Sequence, residues 1–147
     1  MIENPLEATF IDTNILVYAF DETAGKKHSI AVKIIENGWN NKNGNISLQV
    51  IQEFYVTLTR KIPNPVDIRT VRKIVSDLST WRIHSPTVED VLQAIDIQFE
   101  NKLSFWDSLL IQSAIRLGCQ TLISEDLSHG QVIAGVRIFN PFIEEVS

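Results

Sequence analysis

The chain has 147 residues, 13 Lys and Arg against 18 Asp and Glu, a formal net charge of -5 and 44% hydrophobic residues. This length suits one domain over residues 1–147, and the composition excludes disordered and fibrous classes. The acidic balance excludes a protein that coats nucleic acid by bulk charge, while leaving room for a local basic patch.

The first apolar run, Ala8-Thr9-Phe10-Ile11, is short and bounded by Pro5 and Asp12, as a buried strand would be. Asp12-Thr13-Asn14 then supplies capping residues for a short helix through Ile15, Leu16, Val17, Ala19 and Phe20. Ile30, Ile34 and Ile35 carry a helical spacing over 29–38, with Gly38 as its stop. A polar turn at 40–45 leads to a brief strand, Ile46-Ser47-Leu48. From Gln49 the apolar residues Val50, Ile51, Phe54, Tyr55 and Leu58 mark a helix to Lys61, which Pro63 and Pro65 end.

Another helix spans 66–78, followed by a weak strand at Trp81-Arg82-Ile83. Thr87 caps a helix running through Val91, Leu92, Ile95 and Phe99. Ser104 or Asp107 opens the next, with Gly118 as its stop. The last strands are Thr121-Leu122-Ile123 and Val136-Arg137-Ile138-Phe139, separated by a Gly-containing loop. Short apolar strands alternating with amphipathic helices predict an α/β fold with a mostly parallel central sheet covered by helices on both faces.

The single cysteine, Cys119, excludes an internal disulfide framework and a multi-thiolate zinc site, and points to a reducing, cytoplasmic home. The N-terminal stretch Met1-Ile2-Glu3-Asn4-Pro5-Leu6-Glu7 lacks the basic residue and apolar core of a secretory leader. No apolar run approaches the roughly 20 residues that span a bilayer.

In open α/β sheets ligands gather outside the carboxyl ends of the strands. Asp12 directly follows the first strand, and Asp126 follows Thr121-Leu122-Ile123 after a Ser124-Glu125 step. Each also reads as a cap or turn residue. Asp107 shares a helix face with the apolar Leu110, Ile111 and Ala114, so it is either an N-cap or a buried carboxylate that needs a cation, donors or a proton. Glu53, placed in the first turn of its helix, either favours the helix dipole or looks inward from the flank of an apolar stripe. Together the four form the oxygen donor set that Mg²⁺ or Mn²⁺ prefers, able to cleave phosphodiesters if the fold converges them. Among the cations, Arg69, Arg72 and Lys73 stand out within a regional excess that also holds Arg60, Lys61 and Arg82, and are candidate contacts to a phosphate backbone.

Four segments in order carry a resemblance. Phe10-Ile11-Asp12-Thr13-Asn14-Ile15-Leu16-Val17-Tyr18 is similar to the opening motif of PIN-domain ribonucleases, in particular VapC-type toxins. Gln52-Glu53-Phe54-Tyr55, Ser104-Phe105-Trp106-Asp107-Ser108-Leu109 and Leu122-Ile123-Ser124-Glu125-Asp126-Leu127 match the later motifs. The resemblance implies a PIN-like three-layer domain and a divalent-metal-dependent endoribonuclease in which metal-activated water cleaves RNA. It assigns Asp12, Glu53, Asp107 and Asp126 as acidic ligands of Mg²⁺ or Mn²⁺, and Asn14 and Ser124 as polar supports. It also implies a small antitoxin partner and a homodimer. Glu125 departs from the pattern by adding a carboxylate beside Asp126.

Two other readings stand beside this one. A catalytically silent PIN-like module would bind RNA or protein without metal. A phosphatase or phosphoacceptor built on Asp12 would want a second Asp two residues on, where Asn14 stands. His28, His84 and His129 lack ligand spacing and read as surface or structural residues, with His129 alone near the acidic loop. Cys119 reads as a buried filler, Asp21 and Glu22 as a solvated turn, Asp96 as solvent-facing, and Trp39, Trp81 and Trp106 as core.

Overall fold

The computed structural model describes residues 6–143; residues 1–5, on which the leader argument mostly rests, lie outside them. In chain order the elements are β1 (Thr9–Ile11), α1 (Thr13–Tyr18), a 3-10 turn (Glu22–Ala24), α2 (Lys26–Asn41), β2 (Gly44–Ser47) and α3 (Leu48–Val56), which runs into a π-helical turn (Thr57–Lys61). Then follow α4 (Ile68–Leu78), β3 (Arg82–His84), α5 (Val88–Asn101), α6 (Phe105–Arg116), β4 (Thr121–Ile123), β5 (Val132–Ile133) and β6 (Val136–Phe139). Among the described residues no helix is long and apolar enough to cross a membrane.

The sheet has the order β3-β2-β1-β4-β6-β5 and is parallel except for β5, which pairs with β6 in the opposite sense. Phe10 and Ile11 stand in register with Leu122 and Ile123, and all four side chains are fully buried. Such unbroken apolar strands are what a parallel sheet covered on both faces requires, so the α/β reading holds. From β1 the chain adds β2 and β3 on one side, then crosses to place β4 on the other. The order therefore reverses between β1 and β4, and a crevice opens at their carboxyl ends.

Several local expectations change for identifiable reasons. Helix α2 passes through Gly38 and ends at Asn41, with Lys42 taking the left-handed conformation (φ 54°). Gly38 is there for space, because a Cβ on it would lie 2.9 Å from the Trp81 ring. Leu48 belongs to α3, since the Ser47 hydroxyl accepts from the Val50 amide as an N-cap. Glu53 thus stands in the second turn, beyond the reach of the dipole argument. The end of that helix widens into a π turn closed by the Ile62 amide on the Thr57 carbonyl. There the Thr59 hydroxyl donates to the Tyr55 carbonyl at 2.7 Å, competing with the amide for an α-helical acceptor. Strand β5 is two residues long and was hidden in the loop; Ala134 (φ 51°) and Gly135 (φ 84°) join it to β6 in a tight turn with both central residues left-handed.

Trp81 is core, whereas Trp39 is partly exposed and Trp106 is 61% exposed, because each stands at the outer face of its helix. Asp21 is buried rather than solvated, its carboxylate accepting from the Thr23 amide and hydroxyl. Cys119 is buried, which pushes its thiol up to about 12. His129 is structural, its Nδ1 accepting from the Asn140 amide.

His84, at the end of β3, fastens the α5–α6 layer. Its ring meets the Ser113 hydroxyl at 2.8 Å and Asp90 at 3.0 Å. Asp90, 1% exposed, also accepts from the Thr87 amide and hydroxyl in a capping box and from Gln112 of α6 at 2.7 Å. Ser113, His84 and Asp90 follow the residue order of a hydrolytic triad but are sealed from substrate, and the line is a staple. The Thr87 amide, helped by Gln112 and His84, holds the Asp90 carboxyl down to about 2 against the opposing effect of burial. Its contribution, about 2 kcal/mol, is therefore present above the ordinary carboxyl pKa and lost as pH falls through about 2. Asp90→Asn should lower stability by about that amount at neutral pH in urea melts, with the gap to the wild type closing between pH 4 and pH 2.

Candidate active site

The register of β1 and β4 places their next residues opposite each other at the mouth of the crevice. The Asp12 amide donates to the Ile123 carbonyl at 3.0 Å, extending the strand pairing by one step. The Ser124 hydroxyl then donates to Asp12 Oδ2 at 2.9 Å, while Asp12 Oδ1 takes the Thr13 amide at 2.7 Å at the start of α1. Asp12 is 6% exposed, and burial is the main reason its carboxyl is pushed up to about 6. The two hydrogen bonds oppose that rise, and the charges of Asp126 and Glu53 add to it.

The other acids approach from three elements. The amide of Asp126 donates to the Ser124 hydroxyl, and its carboxylate accepts from Asn14 Nδ2 at 3.3 Å. Its pKa is raised by burial first and then by the charges of Glu125 and Asp107. Glu53, on α3, accepts from the Thr13 hydroxyl at 3.0 Å and from Gln49 at 2.9 Å. It is exposed and faces the cleft mouth, so the inward-looking expectation holds only in its reach to Thr13. Asp107 lies in the first turn of α6, but Ser104 is the N-cap, its hydroxyl accepting from the Asp107 amide at 3.1 Å. The Asp107 side chain is left without a hydrogen bond or ion pair among the described residues.

The four acids thus meet at one end of the sheet, with Asn14 and Ser124 supporting two of them. Among the described residues no three carboxylate, His or Cys side chains are drawn into a ready-made ligand cage. The chain's own donors hold Asp12, Glu53 and Asp126 in place. The donor chemistry nevertheless fits a hard divalent cation: carboxylates, hydroxyls and an amide, with no ion pair to Asp12, Glu53, Asp107 or Asp126 among the described residues.

Glu125 turns away from this group. It accepts from the Tyr18 hydroxyl and pairs with Lys27 at 2.8 Å, and the ammonium also lies over the rings of Tyr18 and Phe142. The sequence reading placed Glu125 beside Asp126 but had no signal for its partners, which come from α1 and α2. Thr13 reads from sequence as a cap, and in the fold it touches Asp12 with its amide and Glu53 with its hydroxyl. Arg69, Arg72 and Lys73 do not line the cleft beside the acids. Lys73 pairs with Asp77 at 3.4 Å, Arg72 borders an apolar groove with Ile51, Tyr55 and Val75, and Arg69 is exposed at the start of α4.

The chain resembles several solved structures in shape. A toxin–antitoxin complex from Klebsiella pneumoniae aligns with a TM-score of 0.68 at 22% identity, over 91% of this chain and 98% of the other. VapBC2 of Rickettsia felis, bound to a DNA fragment from its promoter, gives 0.62 at 18%, over 88% and 96%. VapC20 of Mycobacterium tuberculosis, a toxin that cleaves the sarcin-ricin loop, gives 0.59 at 18%, over 80% and 91%. No curated protein sequence matches. These likenesses establish the fold, while the family model for the PIN domain matches residues 9–132, from β1 through all four acidic segments. The chain belongs to the PIN domain family.

Proposed function

We propose that the protein is a divalent-metal-dependent endoribonuclease, and that it is the toxin of a toxin–antitoxin pair. The observation that carries the nuclease reading is the buried Asp12 carboxylate, pushed up to about 6 beside Asp126 and Glu53, with Asp107 next to Asp126 and none of the four ion-paired among the described residues. Asp12, Glu53, Asp107 and Asp126 would hold Mg²⁺ or Mn²⁺, which when bound activates water and neutralises charge on a phosphodiester. The rest of the centre orients these ligands: Ser124 and the Thr13 amide aim Asp12, Asn14 aims Asp126, and Thr13 with Gln49 aims Glu53. This donor set supports a phosphodiester substrate, since a cation held by carboxylates at the carboxyl ends of the strands retains positions for phosphate oxygens, and RNA is the polymer that the family likeness adds.

The toxin reading draws on the likeness to the Klebsiella and Rickettsia complexes, and a small antitoxin is the partner it implies. A homodimer is part of the proposal as well. On α5 the apolar Val88, Leu92, Ile95 and Phe99 recur at helical spacing and face outward, with Phe99 86% exposed. A stripe of that kind marks an interaction surface rather than a solvated face.

Three outcomes test this reading. Asp12→Asn or Asp107→Asn should reduce cleavage of RNA by on the order of a hundredfold or more while circular dichroism stays native, and chelator should silence the wild type. Cleavage that persists in excess chelator would return the chain to a metal-independent role. In metal-free buffer Asp12→Asn should raise stability above the neutral range by up to about 3 kcal/mol, because the wild type there carries a buried charge. That gain should shrink as pH falls through about 6 toward the ordinary carboxyl value, and Mn²⁺ should raise the melting temperature of the wild type only. Phe99→Glu should convert a dimer into a monomer by light scattering, without loss of secondary structure.

A further inference from the structure

Beside the acidic centre lies an open cleft of about 420 Å³, lined by Thr13, Asn14, Gln52, Glu53, Val56, Thr57 and Lys61. Lys61 is the only cation on its wall, and it forms no ion pair among the described residues. The other cation near the acids, Lys27, is committed to Glu125.

The backbone explains why Lys61 stands there. An α-helix turns about 100° per residue, so seven residues beyond Glu53 it would bring Arg60 almost back onto the Glu53 stripe and carry Lys61 past it. The π turn over Thr57–Lys61 winds less per residue, so the chain falls behind and Lys61 takes that stripe below Glu53 and Thr57. Lys61 accordingly lines the cleft and Arg60 does not. A polyanion approaching four carboxylates on a chain of net charge -5 needs a positive group close to the reacting end.

We infer that Lys61 holds a backbone phosphate of the RNA strand on the α3 side of the acidic centre, as a phosphate-binding residue placed by the π turn. The inference rests on the nuclease reading and goes beyond it by assigning the strand a contact. An ammonium serves as a mobile point charge with three donors, suited to a phosphate of any sequence context.

The test uses the full chain carrying Asp12→Asn, so that fluorescein-labelled single-stranded RNA is bound without being cut, and anisotropy is followed across a salt series. Adding Lys61→Ala should weaken binding about fivefold to tenfold and reduce the slope of log affinity against log salt by about 0.7, the share of one single-strand phosphate contact. Lys61→Arg should restore the slope, and Arg60→Ala should leave affinity and slope unchanged. In the cleaving chain Lys61→Ala should raise KM with kcat largely kept. An unchanged slope on adding Lys61→Ala, or an equal loss for Arg60→Ala, while the chain that keeps Asp12 cleaves RNA, overturns the inference and leaves the nuclease reading intact. A wild type that neither cuts nor binds RNA overturns both.

Discussion

Where β1 and β4 run side by side, the Asp12 amide closes onto the Ile123 carbonyl and the Ser124 hydroxyl closes onto the Asp12 carboxylate. Both contacts follow from a register fixed by buried Phe10, Ile11, Leu122 and Ile123, so the acidic centre is anchored at the ends of two fully buried strands. A one-residue slip would turn every side chain of β1 to the opposite face and move Asp12 out of reach of Ser124. The remaining acids then need only to be carried toward a point already set: Glu53 by the middle of α3, Asp107 by the beginning of α6, and Asp126 by the loop that leaves β4.

That arrangement is costly in the absence of a counter-ion. Burial and the charges of Asp126 and Glu53 push the Asp12 carboxyl up, and Asp126 is raised by its own burial and its neighbours. Lys27 opposes part of the rise of Asp126 that Glu125 and Asp107 cause, and its pairing with Glu125 ties the loop after β4 to α1 and α2. Away from the acidic centre, the staple of His84, Asp90, Gln112 and Ser113 is buried and cross-linked by hydrogen bonds, and the caps at Ser47, Thr87 and Ser104 are used as their types suggest. Like charges crowded against a buried carboxylate at the end of the sheet are what a functional centre looks like.

Much of this was legible in the residues. Strand–helix alternation was readable because buried parallel strands are continuous apolar runs and the helices carry clear 3.6-residue stripes. The four acids could be picked out by their places after strands and early in helices, and their order by resemblance. What escaped depends on distant partners or local crowding. Gly38 reads as a stop until the Trp81 ring is known to lie against it, and Asp21 reads as a turn residue until its carboxylate is found inside its own cap. The π turn depends on where a Thr59 hydroxyl donates, which no periodicity encodes. For the same reason the basic residues chosen on α4 by local density miss the cleft, while Lys61, one of the same cluster, enters it.

The two borders of the sheet have a consequence for assembly. One border is β3, three residues long, and the other is β5, two residues long and joined to its neighbour by a tight hairpin. Neither offers the row of free amides and carbonyls that an added strand would need to zip onto. A macromolecule that recognises this chain therefore reads its side chains, and its selectivity is set by their shape and charge instead of by backbone templating.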